Sequence, residues 1–337
     1  MRRIRVAGNA VYQVRPSFVM PYQIGFTQEV AKGLYMYHSG ASFDQVVQAY
    51  GRNEMFWWRA FVSLGRNSLV GTTVKSPEKL PQQLLVDEKH TWHYKERVYL
   101  ATTVGGGCLL GAALAPEASE THLLSAYREF ETEAHALNPD YVPETVNTDG
   151  WSATQQAWKR LFSGKVVLIL CFLHVALKIQ ERSRRWERKR TLMKKVWSCY
   201  RAPTLAAFSQ LVRRLKEWVG QMHDMPEGAK KKVLDFCQKA GQYKRSYTHP
   251  DAHHTSNMLD RLMDYQDRML YGMRYLHSYC LDGTGQLMVR AIALMWNFHP
   301  YCRKIKRHSP FADLNGFVYH SYWLENLMIA ASMGGRR

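Results

Sequence analysis

Three aspartates hold the chemistry that this sequence can offer. Asp87 closes the apolar run in QQLLVDEKH, Asp149 closes the run in TVNTDGW, and Asp260 stands in the first turns of the helical pattern TSNMLDRLM. Singly, each has an ordinary role: Asp87 starts a turn, Asp149 caps the helix behind it at Trp151 and Ser152, and Asp260 pairs with Arg261 or Arg268. Together they are two strand-terminal acids and one helical acid that a sheet could gather at one edge. Carboxylates packed within a few ångströms repel, so one must take up a proton unless cations neutralise the group. Mg2+ (or Mn2+) is the hard divalent ion that such oxygen ligands accept. Two such ions, roughly 3.5 to 4 Å apart, activate an attacking oxygen and stabilise a leaving one in phosphodiester displacement.

The elements that must position these acids follow from periodicity. QQLLVDEKH, RVYLATTV and CLLGAALA read as strands, the last two separated by Gly105 to Gly107, a hairpin signal. Ser119 caps the amphipathic helix SETHLLSAYREFETEAHAL; ETVNTDG follows as a strand, WSATQQAWKRLF as a helix, and KVVLILCFLH as a fully buried strand. Hairpin strands first and β-α alternation afterwards predict an α/β class, a mixed five-stranded sheet with helices on both faces. Its first part spans residues 82–177; residues 178–250 interrupt it as a basic all-helical insertion, and 251–337 complete it with helices. Those last helices are TSNMLDRLMDYQDRMLYGMRYLH, then GQLMVRAIALMWNFH and YHSYWLENLMIAASM, the two joined by the basic loop CRKIKRHSP.

Residues 1–80 hold three helix patterns, Thr27 to Tyr37, SFDQVVQAY behind the cap Ser42, and NEMFWWRAFVSLG behind the cap Asn53. This is helix-turn-helix grammar. As a DNA reader the third helix presents Arg52, Asn53, Arg59 and Arg66, with Trp57 or Trp58 packing inward. A small bundle that only packs on its neighbour fits the same pattern.

Charge narrows the partner. The 337 residues carry a net charge of +18, and between Lys178 and Pro250 there are 19 Lys or Arg against 6 Asp or Glu. ERSRRWERKR alone is compatible with a solvated helix face. An excess of cations without balancing acids instead favours a floor for a phosphate backbone, with Arg184, Arg185, Arg188 and Lys189 on double-stranded DNA. The longest apolar run, Val166 to Leu177, falls short of the roughly 20 residues that span a bilayer, and MRRIRVAGNAVYQ lacks a secretory stretch. An intracellular protein, cytoplasmic or on the nucleoid, is expected. Six scattered cysteines without a CxxC pair read as reduced thiols.

With acids, strand order and insertion in place, the chain resembles the DDE/D transposases with an RNase H-like core. Within them it is most similar to the Mutator-like elements and related bacterial insertion-sequence transposases. Asp87 in LLVDEKHTW matches the first acid and Asp149 in NTDGW the second, 62 residues on. Cys171 to His174, CFLH, matches the C-x-x-H signature after the fifth strand. TSNMLDR, with Asn257, Asp260 and Arg261, resembles the S-N-x-x-E-R segment, with Asp for the customary Glu; Asp264 and Asp267 are the fallback third acids. The likeness covers about residues 82–280. It implies hydrolysis at transposon ends followed by strand transfer into target DNA, with Asp87, Asp149 and Asp260 holding two metal ions. It also implies that His174 touches the scissile phosphate or a flanking nucleotide, that Cys171 packs behind it, that Arg261 meets a phosphate or pairs with a nearby acid, and that the protein works as a homodimer or higher oligomer.

Rival constellations are weaker. His249, His253 and His254 in THPDAHHTS, or His90 and His93 in HTWH, would need a tetrahedral set for zinc, with Cys171 and His174 the only obvious complement. The triple glycine lacks the GK[ST] of a phosphate loop. A structure-specific nuclease of resolvase type shares the metal site without strand transfer, and a catalytically silent DNA-binding relative shares the basic surface without the chemistry.

Overall fold

The computed structural model describes residues 2–5, 11–21, 25–93, 96–272, 281–300 and 308–333. Two short strands that periodicity does not announce, β1 (Arg2–Arg5) and β2 (Val11–Val14), pair antiparallel. Three helices follow where they are expected: α1 (Thr27–His38), α2 (Phe43–Tyr50) and α3 (Glu54–Leu64). Ser42 closes a capping box with Gln45, and the Asn53 side chain accepts the Phe56 N–H. Both caps satisfy amides that a helix start leaves without partners. A short α4 (Leu69–Thr73) leads to the sheet.

The sheet strands are β3 (Gln83–His93), β4 (Glu96–Gly105), β5 (Cys108–Ala115), β6 (Thr145–Thr148) and β7 (Val167–Leu170). Their spatial order is β5-β4-β3-β6-β7; β3, β4 and β5 pair antiparallel, and β6 and β7 join parallel to β3. The expected mixed five-stranded α/β sheet is present, and Gly106 and Gly107 turn the β4–β5 connection at positive φ. Strand alternation sends Leu84 and Val86 to one face and Leu85 to the other. Against the first face pack α5 (Glu120–Leu137) and α6 (Ser152–Leu161), with Tyr127, Phe130 and Trp158 at the centre. Against the second lie α12 (Asn257–Gly272) and α13 (Gln286–Phe298), with α15 (Trp323–Ser332) and α1 to α3 continuing one shared core. The N-terminal helices therefore bury Leu34, Trp57 and Phe61 against the helices of the chain's end. At this junction a Cβ on Gly65 would stand 1.9 Å from the Leu287 carbonyl oxygen, so only glycine admits the approach of α3 to α13. A one-turn-and-a-half α14 (Pro310–Asn315) packs near β5.

Two boundaries differ from expectation. Asp87 does not end its strand: the antiparallel pairing with β4 carries β3 on to His93, so the acid stands mid-strand. KVVLILCFLH is not strand throughout: the strand ends at Leu170, and Phe172 opens α7 (Phe172–Arg182). The cause is tertiary, because the Phe172 N–H donates to the His254 carbonyl and Val175, Ala176 and Ile179 form a buried helical stripe. After it come α8 (Lys189–Tyr200), α9 (Leu205–Gly220), α10 (Glu227–Gln238) and α11 (Ala240–Lys244). With α7 these helices enclose a separate core around Phe172, Phe208 and Phe236. Most of the expected loop CRKIKRHSP lies outside the described residues, and no helix among those described is long and apolar enough to cross a membrane.

Candidate active site

Sheet register decides which acids meet. Leu85 of β3 pairs with Asn147 of β6, and Asn147 with Ile169 of β7. Two residues further along each chain stand Asp87, Asp149 and Cys171, level at the carboxyl edge of the parallel strands. Beyond Thr148 the chain must turn sharply toward α6. Gly150 allows this at φ 95, where a Cβ would also stand 3.2 Å from Leu170.

Alternation sets the directions. Asp87 shares the face of Leu85, toward α12, and there single ligand atoms of Asp87, His174 and Asp260 lie within 4.8 Å of one another. His174 Nε2 is 3.7 Å from Asp87 Oδ2. Asp149 is outside that trio: its Oδ1 accepts the Trp151 N–H at 2.8 Å, and its Oδ2 is 4.0 Å from Lys178 Nζ. Its charge still helps to push Asp87 upward. Asp260, rather than either fallback acid, enters the cluster; Asp264 and Asp267 both pair with Lys89 instead. Lys89 shares the Asp87 face of β3, so α12 lies along that strand with Asp260 at the edge.

Ser256, immediately before α12, ties the cluster together. Its hydroxyl is 3.2 Å from Cys171 Sγ and 3.4 Å from His174 Nδ1, and it donates to Asp260 at 3.4 Å. Its carbonyl accepts the Asp260 N–H. The sequence motif contained this serine, but its hydroxyl carried no role in the reading. Asn257 and Arg261, from the same motif, are exposed. Cys171 is 1% exposed and is linked to His174 through the Ser256 hydroxyl.

Glu88 was missed as well. It points to the opposite face of β3, where Tyr127 and Thr154 donate to its Oε1 at 2.6 and 2.7 Å, while Oε2 is buried without a hydrogen-bond partner. Its backbone N–H donates to Asp87 Oδ1 at 2.9 Å. The signal was a second acid directly after Asp87 in a strand, which alternation must bury under α5 and α6.

The electrostatics are those of crowded acids. Burial, and then the Asp149 charge, raise Asp87 to about 6; burial raises Glu88 to about 7 and moves Asp260 upward too. A hydrogen bond to Cys171 raises His174 to about 9 against the effect of its burial. Burial pushes the Cys171 thiol up, but hydrogen bonding to His174 and its charge outweigh that and bring it below the usual value. His174 is therefore a cation among carboxylates at neutral pH. Asp87 and Asp260, with converging oxygens, and Asp149 beside them form an oxygen-donor set that fits a hard divalent cation, while the protonated His174 offsets their charge.

The expected DNA contacts divide into two groups. Arg52, Arg59 and Arg66 are exposed around α3, whereas the Asn53 side chain is engaged in its cap. Arg184, Arg185 and Arg188 are exposed between α7 and α8, Arg188 lying 4.0 Å from Asp224, and Lys189 is half-buried at the start of α8. Of the histidines weighed for zinc, His249 pairs with Glu144 at 2.6 Å, and His253 offers its carbonyl to Asn147. His90 is exposed, and the side chain of His93 lies outside the described set. No family model matches the chain, and none of the curated proteins does.

Proposed function

We propose that the chain is a DDE/D-type transposase that hydrolyses DNA at the ends of a mobile element and joins the freed end to target DNA. The observation that carries this reading is the meeting of Asp87 and Asp260 with His174 at the carboxyl edge of the sheet, with Asp149 in register beside them. The strand order and polarity suit an RNase H-like core, and the separate core of α7 to α11 suits an inserted basic domain.

Asp87, Asp149 and Asp260 would hold Mg2+ (or Mn2+), which when bound supplies an activated nucleophile and neutralises charge on the phosphate. The chain's own residues prepare that role. The Glu88 N–H orients Asp87 through Oδ1, and Ser256 holds Asp260 and His174 in one hydrogen-bonded group. The His174 imidazolium offsets the acids and stands where a phosphate oxygen can accept its Nε2 proton as a hydrogen bond. The exposed arginines of α3 and of the α7–α8 segment attract the DNA backbone.

The test is Mg2+-dependent joining of an end-sequence oligonucleotide to a plasmid. Joined product in the wild type, absent in Asp87→Asn, Asp149→Asn and Asp260→Asn with DNA affinity retained, supports the reading. Cleavage without joining identifies a resolvase-type nuclease, and binding without cleavage a silent relative.

A further inference from the structure

We infer that a cleft between α7, α10 and the β6–α6 turn is a phosphate subsite for the DNA strand that leaves the acid cluster. This rests on the function proposed above and adds where the strand runs. The cleft measures about 330 Å3 and is lined by Asp149, Trp151, Lys178, Lys232, Asp235 and Lys239, over an apolar floor. It opens directly beside an acid of the cluster.

Helix geometry gives the cleft its direction. His174 and Lys178 are four residues apart on α7 and so share a face. His174 meets Asp87, and Lys178 Nζ is 4.0 Å from Asp149 Oδ2. One helix face thus leads from the acid cluster into the cleft. On the far wall, Lys232, Asp235 and Lys239 follow at spacings of three and four, again one face. Lys239 pairs with Asp235 at 3.1 Å. Lys232 is half-buried, and no hydrogen bond or ion pair joins it to another described residue. Its ammonium is thus not committed within the described residues and can meet an anion that enters the cleft.

The balance of charge points to a phosphodiester. Three ammonium groups face two carboxylates, and one of those carboxylates, Asp149, is engaged by metal in the proposed reaction. A ligand of the cleft must therefore be anionic, and continuity with the acid cluster makes it the next stretch of the same strand.

The test uses the full chain and a fluorescein-labelled duplex oligonucleotide, with affinity measured across a salt titration. Lys232→Gln removes one phosphate contact, so binding weakens and the log–log salt slope flattens by about 0.9. Asp235→Asn removes a carboxylate that faces the cleft, so binding tightens. Opposite signs from two neighbours on one helix face are not produced by a loss of folding, which thermal melts of both variants check independently. If the wild type binds and cleaves DNA but both variants keep its affinity and slope, the cleft is not on the strand's path and only this inference fails. If the wild type neither binds nor cleaves, the proposed function fails and the subsite falls with it.

Discussion

Two groups of buried and half-buried carboxylates lie in this molecule, and they are finished differently. Beside the edge strand β5, on which both α13 and α5 pack, Arg290 is 1% exposed and pairs with Glu129 and with Glu133, the latter at 2.6 Å. Its remaining donors reach the Gly65 and Asn67 carbonyls; Glu133 also accepts from Ser68 and the Val70 N–H, and Gln286 donates to Glu129. At the sheet edge, Asp87, Glu88, Asp149 and Asp260 have His174, the more exposed Lys178 and, near Asp260, Lys89 as cations among the described residues; Lys89 is already paired with Asp264 and Asp267, and Glu88 Oε2 has no partner. The first group is closed by a fixed guanidinium that joins three parts of the chain. The second is left short of positive charge, the condition in which a site takes up a cation from solution.

The difference is broken most severely at Arg290. Arg290→Met strands two buried carboxylates and should cost about 3–5 kcal/mol in chemical denaturation. A loss below about 1 kcal/mol would mean that the two clusters do not differ in kind. Next in size is Ser256→Ala, which removes the hydroxyl joining Asp260, His174 and Cys171. Metal affinity or cleavage rate should fall about 10- to 100-fold with little change in melting temperature. Unchanged kinetics would assign Ser256 to packing alone.

Smaller effects follow from pH. A group whose folded pKa is raised contributes stability below its unfolded pKa and loses it as pH rises through the folded value. Asp87 is raised from 3.8 to about 6, Glu88 and Glu133 from 4.5 to about 7, and His174 from 6.5 to about 9, so metal-free stability should decline first over about pH 4–7 through the carboxyls and then up to about pH 9 through His174. Mg2+ should restore it at pH 7.5 and much less at pH 5, and Asp87→Asn should remove the lower-pH part of the first decline, leaving that of Glu88 and Glu133. A melting temperature insensitive to Mg2+ at both pH values would count against an acid edge waiting for a cation. The smallest effect belongs to Asp264→Asn and Asp267→Asn, whose carboxyl groups are 75% and 48% exposed on Lys89. Each should change stability by less than about 1 kcal/mol and leave cleavage intact. Loss of cleavage in either would move the third acid away from Asp260.

Much of the sheet could be read in advance because its signals are local. The Gly105–Gly107 turn, the Ser119 cap of α5 and the alternation of apolar residues in β3 depend on neighbours in sequence. The end of β7 did not, because VVLILCFLHVAL is apolar throughout and period alone cannot divide buried strand from buried helix. A contact from His254, more than eighty residues on, sets that boundary. The site was legible in part for the same reason. Asp87 and Asp149 stand out as acids that end apolar runs and Asp260 as an acid at the start of a helical pattern, whereas Ser256 acts through Cys171, 85 residues earlier, and Glu88 through Tyr127 and Thr154. Nor does periodicity disclose that α1 to α3 share a core with α13 and α15.

The most direct measurement is calorimetric titration of the metal-free chain with Mn2+ at pH 7.5, beside Asp87→Asn and Asp260→Asn. Saturable binding in the wild type, weakened at least about tenfold in each variant, is the expected result. Equal Mn2+ affinity in all three proteins would contradict a metal centre at the edge of this sheet.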